Sequence, residues 1–285
     1  GRGATAAILG TLAFLLFSQS TDEALNAVSG TEGFHPFQVV ILAVSVFTLL
    51  SGVLVWFVIP VSSDNSYEKQ TIFDKKKILI LLRLPKMWML AIMIVCAYVG
   101  YKITDDYSLF AKEVLGYSDV EAAGVGTAAL WMRALVAILA GFIADRLNKV
   151  NLISTCFGLA VAGGLLIGLG VLSHITVVLI LNLIMTMIGV YGVRALYFSV
   201  LKEAQIPLTL TGTAVGIVSF VGYTPDVFMS PWMGYLLDNN PGVTGHQYVF
   251  LVLASFATVG LLTSLAFGRR NTINKPEKNS SPKEH

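Results

Sequence analysis

Long apolar runs alternate with short polar stretches along the whole chain. Eight runs stand out, at residues 4–17, 37–59, 87–109, 121–143, 151–172, 175–201, 211–237 and 248–267. The first is short; the others reach the roughly 20 residues that a helix needs to cross the hydrocarbon core of a bilayer. Strands of a membrane barrel would be shorter and would alternate apolar with polar positions, so the pattern predicts helices. Asn239-Asn240-Pro241-Gly242 is a strong turn signal. Ser173-His174 leaves almost no loop, which predicts adjacent antiparallel helices. The expected fold class is all-α, a polytopic membrane protein with about eight transmembrane helices.

Composition removes the soluble alternatives. Of 285 residues, 55% are hydrophobic and 13% charged, against about 25% charged in soluble domains. Abundant apolar material excludes intrinsic disorder. A net charge of +2 without a basic patch between aromatics excludes nucleic acid as a partner. Cys96 and Cys156 both lie in apolar runs, so no disulfide framework is expected. His35, His174, His246 and His285 fall in predicted loops or the tail, so neither a metal nor another cofactor is expected. No G-x-S-x-G elbow, P-loop or H-E-x-x-H is present, and enzyme chemistry is not expected. The chain opens Gly1-Arg2-Gly3 directly into an apolar run, as expected of a piece of a larger protein.

Lys and Arg set the orientation. Residues 61–86 hold Lys69, Lys75, Lys76, Lys77, Arg83 and Lys86. Arg146 and Lys149 follow the fourth span, and Arg269, Arg270, Lys275, Lys278 and Lys283 follow the last. With eight spans these regions share one side, the cytoplasm, and both ends are expected there. Loops 18–36 and 238–247 contain no Lys or Arg, and Lys112 is the lone basic residue in an outer loop.

The chain after the fourth span reads Gly141-Phe142-Ile143-Ala144-Asp145-Arg146-Leu147-Asn148-Lys149. This resembles the G-x-x-a-D-R-x-x-[RK] loop of the major facilitator superfamily, found between helices two and three with a weaker copy between helices eight and nine. Placing it at the second position numbers the spans five to twelve, and the long basic loop then falls between the two bundles. The resemblance implies residues 1–60 as the last two helices of an N-terminal bundle and 61–86 as the inter-bundle loop. It implies 87–267 as a C-terminal six-helix bundle and 268–285 as a cytoplasmic tail. In the loop, Gly141 is expected to permit a close helix approach. Asp145 is expected near Arg2, at the start of the first span, as a gate with Arg146; an ordinary loop pair is the alternative. Further runs are similar to bacterial permeases near the organophosphate:anion antiporters: Arg194 to Phe198, Glu203, Pro207, Thr211 to Gly216, Gly222 to Asp226, and residues 98–114. Lys102 stands at or near the position where the phosphate antiporters carry an arginine.

Ionisable residues inside spans are functional candidates. The chain offers Lys102, Arg133, Arg194 and Asp226, two net positive charges that favour an anionic substrate. Lys102 and Asp226 each lie about fifteen residues, roughly 23 Å, into their helices, and matched depth pairs them. At 100° per residue Tyr98, Tyr101, Lys102 and Asp105 share one face. Gly212, Gly216, Ser219, Tyr223, Asp226 and Ser230 share another, and Asn182, Thr186, Arg194 and Tyr197 a third. Lined pathway and packing glue are the competing readings; for Gly212/Gly216 and Gly164/Gly168 packing is preferred. Arg133 faces small residues and has a structural strut as its alternative. Arg194 is shallow enough to snorkel. Pro225 and Pro231 are expected to break the eleventh helix.

The resulting expectation is a monomeric secondary transporter of the inner membrane. It moves a small organic anion by alternating access, as an antiporter or coupled to protons. Lys102, Arg133, Tyr98, Tyr101, Tyr223 and Asp226 bind substrate. Asp226, Arg194, Asp145, Arg146 and Arg2 serve coupling and gating. The alternative is a membrane sensor of transporter fold that binds without translocating.

Overall fold

In the computed structural model, residues 36–58, 75–171, 176–201, 206 and 210–273 are described. Their regular structure is helical. Helix α1 is Pro36–Val58 and α2 is Lys75–Leu82. Then come α3 (Pro85–Ile103), α4 (Tyr107–Glu113), α5 (Asp119–Arg146), α6 (Lys149–Gly168), α7 (Thr176–Leu196), α8 (Thr211–Gly222), α9 (Pro225–Asn239) and α10 (Val243–Ile273). The expected span at 4–17 lies outside the described residues, as do Arg2, Glu203 and Pro207.

The apolar pattern sets the helices and local chemistry sets their ends. Pro85 starts α3, its ring holding φ at the helical value and its missing N–H costing nothing in the first turn. Ser118 and Glu121 form a reciprocal capping box on α5. The Asn148 side chain accepts from the Val150 and Asn151 amides at the start of α6. Gly242 turns the chain at φ 76°, where a side chain would be strained. The span expected at 87–109 runs through a 3-10 turn, Thr104–Asp106, into α4. The span expected at 211–237 is two helices, interrupted at Tyr223-Thr224 before Pro225, whose ring denies the ladder a donor. α10 continues past residue 267 to Ile273.

From α3 onward the helices pack together. α6 lies between α7 and α10, and α10 also rests on α3. α3 meets α7, α8 and α9 as well, while α5 rests on α7 and α4. The tight seams use small residues. A Cβ on Gly189 would sit 2.6 Å from the Cys156 carbonyl oxygen and 2.8 Å from the Ala160 nitrogen, so α6 and α7 touch backbone to backbone. Gly164 and Gly168 admit α10 in the same way, through Phe250, Leu251 and Leu253. Close approach of this kind is how helices gain dispersion energy in lipid, where apolar side chains have nothing to gain by leaving it. Asn182 donates to the Gly163 carbonyl at 2.9 Å, and the Ser154 and Ser264 hydroxyls meet at 2.8 Å.

The glycine expectations divide. Gly164 and Gly168 are packing positions. Gly212 and Gly216 are not: no described atom lies within 4 Å of where their side chains would begin. Gly141 likewise meets no described neighbour, so the close approach expected there is absent among the described residues. The outer surface of the packed helices is apolar; Leu139 and Phe142 on α5 and Leu181 on α7 are at least half exposed, a surface hydrocarbon accepts and water does not.

Replacing Gly189 by Ala should destabilise the bundle by about 1–3 kcal/mol through overpacking against backbone that cannot yield. Gly216→Ala, which meets open space, should leave stability unchanged. Thermal melts of the two purified variants check the contrast; equal midpoints would overturn the assigned seam.

Candidate functional site

Helix α3 carries the site. Tyr98, Tyr101 and Lys102 lie one turn apart on its inner face, and the 3-10 turn that follows adds Asp105. Lys102 Nζ lies 3.3 Å from Asp105 Oδ2 and 3.7 Å from Asp226 Oδ1. The matched depth of Lys102 and Asp226 is thus a direct approach, made across two helices that contact each other. Asp226 reaches it because the break at Tyr223-Thr224 restarts the chain, setting Asp226 in the first turn of α9. A helix N-terminus favours a carboxylate there. The Tyr98 hydroxyl donates to Asp226 Oδ2 at 2.6 Å.

Arg133 sits halfway along α5. Its Nη1 donates to the Tyr101 hydroxyl at 2.6 Å and its Nη2 lies 3.7 Å from Asp105 Oδ1. It bridges α5 to α3 and the turn after it through charged and hydroxyl partners, which fits the strut alternative as well as a binding role. Arg194 also points inward rather than snorkelling. Its guanidinium lies 3.8 Å from the Tyr101 ring centre and 4.8 Å from that of Tyr98. Cation–π contact supplies what a missing carboxylate does not, about 2 kcal/mol where water is excluded. Tyr98 and Tyr223 pack with ring centres 5.0 Å apart, and the Tyr197 and Tyr223 hydroxyls meet at 3.4 Å.

The expected charge count needs a correction. Asp105 shares Lys102 and Arg133, so three cations face two carboxylates and the excess is one positive charge, not two. Asp105 was visible on the polar face expected for that span, but its lateral link to Arg133 was not. Two guanidinium nitrogens, Arg133 Nε and Arg194 Nη1, are buried without a hydrogen-bond acceptor among the described residues. Lys102 and Arg133 are less than one-fifth exposed, whereas Asp105 and Asp226 are about half exposed. The carboxylates therefore stand at the open face and the cations behind them. Gly212, Gly216 and Phe220 extend that open face along α8. The third expected polar face divides. Asn182 and Thr186 are buried packing groups; Thr186 has no exposed surface and bonds the Asn182 carbonyl.

The model of the Major Facilitator Superfamily matches residues 3–228. The chain belongs to the Major Facilitator Superfamily. It is 29% identical over 259 residues to the inner membrane protein YqcE of Escherichia coli K12, covering 86% of this chain and 60% of that protein. It is 32% identical over 142 residues to the inner membrane protein YihN of the same organism, covering 49% of this chain and 34% of that one. A Mycoplasma pneumoniae protein, the MG294 homolog, is 25% identical over 256 residues, covering 80% of this chain and 53% of that protein. The chain thus spans between a third and three-fifths of the length of these relatives. Membership of the family, with its apolar helices, makes the chain part of a multi-pass membrane protein.

The family's loop residues lie apart from the charged site. Asp145 and Arg146 end α5 at the opposite end from Asp119, both exposed and with no ion pair among the described residues. The expected partner Arg2 lies outside the described residues. His246, expected in a loop, is instead 1% exposed inside the first turns of α10. The turn signal before it had obscured how early the helix begins.

Asp105→Asn should remove the carboxylate that Lys102 and Arg133 share and lower stability by about 1–2 kcal/mol. Adding Arg133→Gln should recover part of that loss, because the uncompensated cation is then gone. Melts of the single and double variants measure the coupling; purely additive losses would separate Arg133 from Asp105.

Proposed function

We propose that the protein is a secondary transporter of a small organic anion, working by alternating access as an antiporter or with protons. The carrying observation is the cluster of three cations against two carboxylates, with two buried guanidinium N–H donors that meet no acceptor among the described residues. An anion entering from the open face competes with Asp105 and Asp226 for Lys102 and Arg133. It gains the free Arg133 and Arg194 donors in the same step, as bidentate or charge-assisted bonds. Tyr98, Tyr101 and Tyr223 flank the substrate. The carboxylates pair with Lys102 and Arg133 when substrate is absent, so the empty carrier keeps these two cations compensated.

Asp226 is the proposed proton carrier. It bonds both Tyr98 and Lys102, and protonation weakens its hold on Lys102. In this reading residues 1–60 close a first bundle, 61–86 link it to the second, and the second bundle is 87–267 with the tail 268–285. The two bundles rock about the site near mid-membrane. Asp145, Arg146 and Arg2 form the proposed cytoplasmic gate. The carrier is placed in the inner membrane as a monomer with both ends of this chain in the cytoplasm.

Counterflow into proteoliposomes, using labelled small carboxylates and phosphate esters, tests the reading. Lys102→Met should cut uptake roughly 30-fold or more, the effect of deleting one buried charge partner, with a normal chromatographic profile. Asp226→Asn should keep exchange and lose proton-driven accumulation. Binding without counterflow in the wild type would favour a sensor and overturn transport.

A further inference from the structure

A second ionisable cluster lies outside the Lys102 site, at the end of the bundle away from Arg146 and Lys149. His246 on α10 places Nδ1 3.1 Å from Asp106 Oδ2 and Nε2 3.2 Å from Glu113 Oε2. The ring is 1% exposed and stands edge-on to Phe110, with ring centres 5.3 Å apart. Asp106 is 8% exposed and the Glu113 side chain 38%.

Proton counting constrains this geometry. A neutral imidazole has one donor nitrogen and one acceptor nitrogen, and an ionised carboxylate only accepts. Two ionised carboxylates on a neutral ring would set one acceptor against another. Both short contacts therefore require one additional proton, on the ring as imidazolium or on one carboxyl group. Among the described residues the groups facing the ring are few. Asp106 and Glu113 are the carboxylates, and the Tyr107 hydroxyl lies in the field of Asp106. Lys112 is turned away to Asp119 at 2.6 Å, and Lys102 to Asp105 and Asp226. The cleft beside Phe110 and Gln247 is lined by Ile167 on α6, Gly170 just after it and Leu179 on α7, none of them charged.

We propose that His246, Asp106 and Glu113 form a proton-binding site whose occupancy straps both ends of α4 to α10. With the proton bound, the ring bonds Asp106 at the start of α4 and Glu113 at its last residue. When the proton leaves to water, the neutral ring keeps one N–H for the deeper Asp106. Glu113, at the more exposed end, then faces a bare nitrogen and turns out to solvent, releasing that end of α4. Asp105 precedes Asp106 in the 3-10 turn that stays held, so the proton site does not depend on the reading of the Lys102 cluster as a substrate site.

Hydrogen–deuterium exchange of the full chain in lipid nanodiscs tests the strap. Exchange is compared at about pH 5.5 and pH 8.5, after correction for intrinsic exchange rates. In the wild type, residues 107–115 should exchange several-fold faster at the higher pH. His246→Gln should be fast at both. Glu113→Gln should be slow at both, because an amide can donate to the bare nitrogen or accept from the protonated one. A wild type without the pH step, or a Glu113→Gln that keeps it, overturns the proposal. An intact step in a wild type that fails to transport would refute the transport reading and leave the proton site standing.

Discussion

The balance of charge around Lys102 is the constraint that organises the inner face of the bundle. A cation at the centre of a membrane helix costs about 2.5–3.5 kcal/mol even on the mildest scales, and this face carries three. Lys102 is met by Asp105 and Asp226, Arg133 by Asp105 and the Tyr101 hydroxyl, and Arg194 by the rings of Tyr98 and Tyr101. Each partner sits on a different helix or on the far side of a break. Helices α3, α5, α7 and α9 are thereby tied at one level as well as by their apolar seams. Exchanging any of these partners changes the forces between helices.

Two interruptions of helix make that balance reachable. The 3-10 turn at Thr104–Asp106 places successive carboxylates in different settings, Asp105 at the open cluster and Asp106 against buried His246. The break before Pro225 begins a new helix with Asp226 in its first turn. A continuous helix would present a similar face, but without the terminal field that favours the carboxylate. Irregular backbone at membrane depth is tolerated where protein or a polar face satisfies it, and both interruptions border the charged face.

Glycine shows how one residue type serves opposite purposes here. Gly164, Gly168 and Gly189 sit where another helix's backbone or side chains leave no room. Gly212 and Gly216 have the same four-residue spacing as Gly164 and Gly168 but meet no described atom within 4 Å. Spacing predicts a small-residue stripe and nothing about what lies across from it. The polar stripe of α7 divides in the same manner: Asn182 and Thr186 stabilise packing, while Arg194 and Tyr197 join the tyrosine cluster.

The helical membrane fold and the pairing of Lys102 with Asp226 were legible in the residues alone. Uninterrupted apolar runs admit only helices in hydrocarbon, and a fixed rise per residue converts position into depth. Depth, however, is one coordinate. Which residues meet laterally depends on how helices rotate and pack, and that is tertiary. Packing decided that Asp105 links Lys102 to Arg133, that Arg194 turns inward onto tyrosine rings, and that Gly212 stays open. It also drew His246 from an apparent loop into the bundle, because a turn signal marks where a helix can begin but not what its first turn is buried against.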